Sequence, residues 1–355
     1  MASSNNLKYR SDIGLNPSIT YKSSGVDVDK ASKALALSKD FIKSTYNSHV
    51  LGNDGDFGGL YDPKWINVYD KPIFVSTIDG VGTKISFLYN LMGDDAYTII
   101  GKDIVNHCVN DILVKGAKPM FFLDYIASDT LKPNSVQEIL KSMSIACKNH
   151  NCVLIGGELA EMPGTYNKNE VDVVGCMIGS VEKDSIINGY DNITSDDLII
   201  GLPSYGLHTN GFSLIRKLAD TYTLSPSLVS WLKQPHTSYY NTIQLLIEDN
   251  INICGICHIT GGGLTDNIPR VVPKYLKAVL NKTYLGNDHF KEIQIKANMS
   301  DEDMYRTFNC GYGMLIFISH LEKDKLNSVF NSNMISYEII GHVELKNNDG
   351  YVEYI

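Results

Sequence analysis

Long apolar runs are missing from this chain. The longest, residues 314–318 within GMLIFIS, falls far short of the ~20 residues that span a bilayer, so no membrane segment is expected. The N-terminus, MASSNNLKYRSDIG, has no apolar secretory core, and Asp12 follows closely on Arg10, against a transit-peptide pattern. Positive charge is also in short supply. The 355 residues carry 31 Lys+Arg against 40 Asp+Glu, a formal net charge of −9, which leaves no general basic field for nucleic acid or anionic lipid. A local cationic pocket for a phosphate is compatible with that balance. Low-complexity tracts and short-period repeats are absent. Cys254, Cys257 and His258 match a haem-attachment spacing, but INICGICHI reads as a buried strand carrying small core residues. No second CxxC or His pair completes a tetrahedral zinc site beside them. The seven cysteines (Cys108, Cys147, Cys152, Cys176, Cys254, Cys257 and Cys310) are odd in number and scattered through apolar segments, the usage of reduced thiols in a cytoplasmic protein.

What is present is an ordinary globular composition, 43% hydrophobic and 20% charged. At roughly 150 residues per domain the length suggests two domains. Residues 30–46 have Ala, Leu and Ile at helical spacing, and KPIFVST (71–77) reads as a strand leading to the turn DGVGTK. Residues 97–115 repeat apolar positions with helical period. Residues 120–127 read as a strand, and 135–149 as a helix with Ser135 as N-cap and Glu138 three residues on. Strands follow at 152–155 and 171–181. The polar stretch 182–197, with NGYDN and TSDD, marks a boundary, giving domains 1–182 and 183–355. The second half restarts the alternation, with strands at 198–202, 251–259, 277–280, 314–319 and 336–343. Its helices fall at 211–219, 237–248 and 321–330. Mixed strands and helices in both halves imply a two-domain α/β (α+β) protein.

Glycines and carboxylates punctuate this framework. In STIDGVGTK, Gly80 and Gly82 let backbone amides approach an anion, Lys84 offers a point charge and Asp79 can hold a cation. The spacing is not that of a Walker A loop. In GKDIVNHCVND, Asp103, His107, Asn110 and Asp111 share one helix face, and its two carboxylates and amide suit oxygen-rich magnesium coordination. A solvated face is the bland alternative, though Lys and Glu would serve it better than Asp and Asn. LIGGELAEMPGTY sets Gly156 and Gly157 after an apolar strand and follows them with Glu158. GLHTNGFS joins a strand to a helix and carries His208 and Asn210. HITGGGLTDNIPR places His258 before Gly261, Gly262 and Gly263, whose amides at a helix start suit a substrate phosphate. Lys22 lies in the polar segment YKSSGVDVD.

Taken in order, YKSSGVDVD, FGGLYD, IDGVGTK, FFLDY, GGELAEMPG, HITGGGLTDNIPR and RTFNCGYGM resemble the phosphoribosylformylglycinamidine cyclo-ligase (AIR synthetase) family, over residues 21–343. The resemblance implies an N-terminal domain whose strands form a barrel with a second subunit of a homodimer, and a C-terminal α/β domain. It implies ATP and Mg²⁺ as cofactors and formylglycinamidine ribonucleotide as the small-molecule substrate, with no nucleic-acid or membrane partner. Asp79, Asp111 and Glu158 fall on acidic positions expected to hold the metal, with Asp103 as helper. Lys22, Gly80, Gly82, Lys84, Asn110, Gly156 and Gly157 fall on the nucleotide side. Asn210 and the glycines 261–263 fall on the substrate side. Asp79, Asp111, His208 and His258 are the catalytic candidates, and the choice of proton carrier between the two histidines stays open. Thiamine-phosphate kinase shares the acidic positions but not GGELAEMPG or RTFNCGYGM. Selenophosphate synthetase needs a reactive Cys in the N-terminal loop, and the first Cys here is Cys108.

Overall fold

A computed structural model gives the structure of residues 21–52, 58–282, 288–347 and 350–355. Phe57, the first residue of the FGGLYD motif, lies outside the described residues. The first sheet takes its strands from residues 72–182, and the second takes its strands from 198–354. No helix among the described residues is long and apolar enough to cross a membrane.

The N-terminal half runs α1 (Val28–Lys43), β1 (Pro72–Gly80), α2 (Lys84–Met92), α3 (Tyr97–Leu113), β2 (Lys118–Ser128), α4 (Pro133–Asn149), β3 (Val153–Glu161) and β4 (Val171–Glu182). Its sheet has the order β1-β4-β2-β3, with β4 antiparallel to both neighbours and β2 parallel to β3. Helices α3 and α4 lie against each other. Gly101 permits their close approach, since a Cβ there would stand 2.4 Å from the Ile139 carbonyl oxygen. The opposite sheet face is open at β1, where Phe74 and Ile78 are 61% and 69% exposed.

The C-terminal half adds α5 (Gly189–Asn192), β5 (Leu198–Pro203), α6 (Phe212–Thr221), α7 (Pro226–Leu232), α8 (Tyr240–Glu248), β6 (Ile253–His258) and α9 (Gly263–Asn267). It continues through β7 (Leu276–Leu280), α10 (Asp288–Ala297), α11 (Asp301–Thr307), β8 (Tyr312–Ile318), α12 (Lys323–Ser332), β9 (Glu338–Leu345) and β10 (Val352–Tyr354). The sheet order is β10-β7-β9-β5-β8-β6. Local caps start several helices: Ser225 accepts from the Leu228 amide ahead of Pro226, and Ser300 accepts from the Asp303 amide.

Several sequence expectations shift. Helix α4 starts two residues early, with Lys132 as N-cap and Pro133 in its first turn. Ser135 is therefore inside the helix, buried, with no partner for its hydroxyl. Strand β1 continues through Asp79 and Gly80 before turning. Helix α2, which the glycine pattern of DGVGTK obscures, follows immediately. Strand β3 runs through the double glycine to Glu161 instead of ending at Ile155.

The halves share one core. Phe87 of α2 packs on Phe212 of α6 with ring centroids 5.5 Å apart, within a continuous apolar cluster. A polar seam runs beside it. The His150 Nε2–H donates to Asn106 Oδ1 at 3.0 Å, and the Asn106 amide donates to the His236 carbonyl at 2.7 Å. The His150 ring stands edge-on to Tyr240, its Nδ1 has no partner, and burial pushes its pKa down to about 4. The unfolded chain takes up this proton near pH 6.5, whereas the folded chain resists it. Stability from this site is therefore complete above that pH and is lost as pH falls toward 4. Between pH 7 and 5 the loss should be about 2 kcal/mol. His150→Gln, which keeps the amide donor, should remove about that much of the acid sensitivity in denaturant titrations at the two pH values. An unchanged pH dependence would reject the assignment.

Candidate active site

Helix α3 presents the polar face expected from its spacing, but solvent does not cover it. The face docks on the C-terminal half, and Asp103 and Asn110 are fully buried. Asp103 Oδ1 accepts from the His236 amide at 2.7 Å, and its Oδ2 pairs with Lys84 Nζ at 2.8 Å. Lys84 Nζ also donates to the Gln234 carbonyl at 2.9 Å. Asn110 donates to the Thr237 carbonyl and accepts from the Tyr239 amide. Lys84 and Asn110, expected on the nucleotide side, and Asp103, expected as a helper of the metal carboxylates, are thus engaged in clamping residues 234–239. Burial pushes the Lys84 pKa down and the Asp103 pKa up, each partly offset by the other's charge.

The next turn of the same face opens to solvent. Asp79 at the end of β1 and Asp111 of α3 flank His107, with side chains 41% and 25% exposed. His107 Nε2 faces Asp79 Oδ2 at 3.1 Å and Asp111 Oδ2 at 4.0 Å, and Nδ1 meets Thr209 Oγ1 at 2.9 Å. Asp111 Oδ2 also accepts from the Thr77 hydroxyl at 2.9 Å. Its Oδ1 accepts from His258 Nδ1 at 2.8 Å. Burial opposes ionisation of both carboxylates. His107 and the Gly80 amide outweigh it for Asp79, and His258, His107 and Thr77 outweigh it for Asp111, so both pKa values lie below the ordinary carboxylate range. Burial likewise opposes charging His107, yet the flanking carboxylates raise its pKa. The flanking carboxylates thus favour the imidazolium form of His107.

Behind this cluster the imidazoles continue inward. His258 Nε2 lies 3.1 Å from His236 Nε2, and the His236 ring stacks on His208 with centroids 3.9 Å apart. Burial holds His208 and His236 well below the usual histidine range. It also lowers His258, against the pull of Asp111. His208 has φ of 63°, a left-handed backbone that is uncommon for a side-chain-bearing residue.

Glu158 does not join this group within one chain. It lies on β3, at the far edge of the sheet from β1, about 14 Å away at ordinary strand spacing. The row Asp79, Gly175, Asp124, Gly157 faces the helices, while the next row, Gly80, Val174, Tyr125, Glu158, faces the other way. A Cβ on Gly157 would stand 2.3 Å from Asp124 Oδ1, so that glycine accommodates a neighbouring carboxyl group. Burial, with a contribution from Glu158, pushes the pKa of Asp124 up to about 7. Lys22 pairs with Asp27 at 2.8 Å, in a segment tied to the end of β3 by Lys30 and Glu161. It also stands apart from Asp79. Gly82 lies in the turn before α2. Gly261, Gly262 and Gly263 form the turn into α9 beside Asn210. There Asn267 braces the Gly261 and Gly263 carbonyls, and a Cβ on Gly263 would stand 2.2 Å from the Tyr305 carbonyl oxygen.

Two site residues were not assigned a role by sequence reasoning. His107 was visible on the α3 face, and its flanking acids were the signal. His236 lies in QPHTSYY, which has no glycine motif or periodicity to mark it.

Comparison with known proteins adds a family context. Residues 61–181 match the model for the AIR synthase related protein N-terminal domain, and residues 194–352 match that for the C-terminal domain. A protein of Alkaliphilus oremlandii named phosphoribosylformylglycinamidine cyclo-ligase is 42% identical over 336 residues, covering 92% of this chain and 97% of its own length. A protein of the same name from Geotalea daltonii is 43% identical over 319 residues, covering 87% and 90%. Among solved structures, thiamine-monophosphate kinase from Stenotrophomonas maltophilia superposes with a TM-score of 0.67 at 16% identity, over 90% of this chain and 95% of that one. The hydrogenase maturation protein HypE, in complex with ATP, gives 0.64 at 14% identity, over 89% and 87%.

Proposed function

This chain belongs to the AIR synthase related protein family, and from that premise we propose that it is an ATP-dependent cyclo-ligase of purine biosynthesis. The reaction converts formylglycinamidine ribonucleotide to aminoimidazole ribonucleotide, with release of ADP and phosphate. The observation that carries this reading is the half-open cluster of Asp79, His107 and Asp111, assembled from β1 and α3 and braced by His258.

The formyl oxygen is a poor leaving group, so it is first phosphorylated by ATP. The ribose-bearing amidine nitrogen then attacks the formyl carbon, and phosphate departs as the ring closes. Phosphoryl transfer demands positioning and charge neutralisation more than covalent chemistry from the protein. Asp79 and Asp111 fit a hard cation. Both are ionised and partly exposed, and each oxygen keeps a lone pair beyond its present hydrogen bond. They are the residues that would hold Mg²⁺, which supplies neutralisation of phosphate charge when bound. His107, whose protonated form the same carboxylates favour, adds a positive charge and a proton for the departing phosphate. Of the two histidines left open by the sequence, His258 acts through Asp111 as a positioning residue. His208 lies on the far side of His236 from His258 and has no carboxylate partner among the described residues. Lys84 and Asp103 contribute by holding residues 234–236 against α3.

A homodimer belongs to the same proposal. Strand β1 is an unpaired sheet edge whose open face carries Phe74 and Ile78, a row suited to pairing with a second copy.

The test is ADP release by the purified protein with ATP and Mg²⁺, with and without formylglycinamidine ribonucleotide, while aminoimidazole product is assayed in parallel. Substrate-dependent ADP matched by product is the expected outcome. ADP without aminoimidazole would assign the fold to a different phosphoryl transfer.

A further inference from the structure

The mechanism leaves three buried imidazoles only partly used. His208 follows β5, His236 precedes α8 and His258 ends β6, so three separate segments converge on one point. One nitrogen from each lies within 4.8 Å of the other two. Neither ring nitrogen of His208, nor His236 Nδ1, has a hydrogen-bond partner of normal geometry, although all three atoms are buried. Buried polar atoms without partners are uncommon and call for an explanation. We propose that His208, His236 and His258 form a binding site for one divalent transition metal ion of the zinc type, separate from the Asp79–Asp111 cation site.

Four features support the assignment. The three donors are imidazoles, which favour zinc and its neighbours over magnesium. Two nitrogens bound at ~2.0–2.1 Å to one tetrahedral ion stand about 3.3 Å apart, and His236 Nε2 and His258 Nε2, joined by a hydrogen bond that an ion would replace, already stand 3.1 Å apart. Bringing in the third nitrogen takes a movement of at most about 1.5 Å, judged against the same geometry, and a turn of the His208 ring out of its stack on His236, because the in-plane lone pairs of stacked rings do not meet at one point. His258 donates its Nδ1 hydrogen to Asp111, the carboxylate–histidine arrangement that fixes the tautomer of a metal ligand and leaves the Nε2 lone pair, which here accepts from His236, for an ion. Finally, the space for His208 is specifically provided: a Cβ on Gly313 would stand 2.2 Å from His208 Cε1. An ion here would fix His258, and through it Asp111, at the edge of the reaction site. The proposal concerns binding and does not depend on the ligase reading.

Cobalt(II) is the probe, titrated into the full-length protein after chelator dialysis at neutral pH and followed by its visible d–d absorption. We expect intense tetrahedral bands that saturate at one ion per chain, displaced by one equivalent of zinc and unaffected by excess magnesium. His236→Gln removes a direct ligand and should weaken binding by more than the ~10–100-fold that loss of an outer-shell partner costs. His208→Gln should do the same and serves if the first variant does not fold, as read by far-UV circular dichroism. His107→Gln should retain the bands. Absence of bands in the native protein, or bands unchanged in folded His236→Gln, would overturn the proposal. Bands lost in His107→Gln but kept in His236→Gln would also overturn it, by moving the ion to His107, Asp111 and His258.

Discussion

Asp111→Asn is expected to lower substrate-dependent ADP formation by roughly 100-fold or more, the scale seen when a preorganised electrostatic contact is removed. The melting temperature should change little. Asp111 accepts from His258 on one oxygen and from Thr77 on the other, and it lies 4.0 Å from His107. Asparagine nearly matches its shape and keeps one acceptor, but it removes the charge. Two consequences separate a catalytic role from a structural one. First, activity and stability should part company, with kcat falling and the denaturation midpoint nearly fixed. Second, the variant should change the pH profile. Asp111 is one of the groups that raise the His107 pKa, so the limb that depends on protonated His107 should move to lower pH. A variant that loses activity only in proportion to lost folded protein would show that Asp111 merely joins the halves.

The largest effect on stability is expected at Lys84. Its ammonium and the Asp103 carboxylate are 2.8 Å apart, and both side chains are completely buried. Lys84→Met leaves Asp103 as an uncompensated buried charge, which typically costs about 3–5 kcal/mol. The Gln234 carbonyl loses its donor as well. Adding Asp103→Asn should recover most of that loss, because the amide oxygen can still accept from the His236 amide while the stranded charge is gone. Denaturant unfolding of both single variants and the double variant forms a cycle with a large coupling term. A cost under ~1 kcal/mol for Lys84→Met, the range of exposed pairs, would show that water reaches the pair.

Much of the framework was legible because it is written in local periodicity. The apolar rows of α3 placed Asp103, His107, Asn110 and Asp111 on one face, and the strands flanking the site came from short β-branched runs. What that face meets was not legible. Asp103 and Asn110 meet backbone groups of His236, Thr237 and Tyr239, and a backbone group has no sequence signature. Glu158 illustrates a second limit. Motif order along a chain does not give strand order in a sheet, and β3 ends up at the opposite edge from β1. Helix α4 shows a third, since a capping-box spacing at Ser135 competes with a proline at the first helical position, and the proline prevails.

The most direct test of the account follows the oxygen that has to leave. The substrate is prepared with the heavy isotope of oxygen in its formyl group and turned over with unlabelled ATP, and the released phosphate is analysed by mass spectrometry. Activation by phosphorylation predicts one heavy oxygen in each phosphate released, in step with aminoimidazole formation. Unlabelled phosphate accompanying the same amount of aminoimidazole would contradict it.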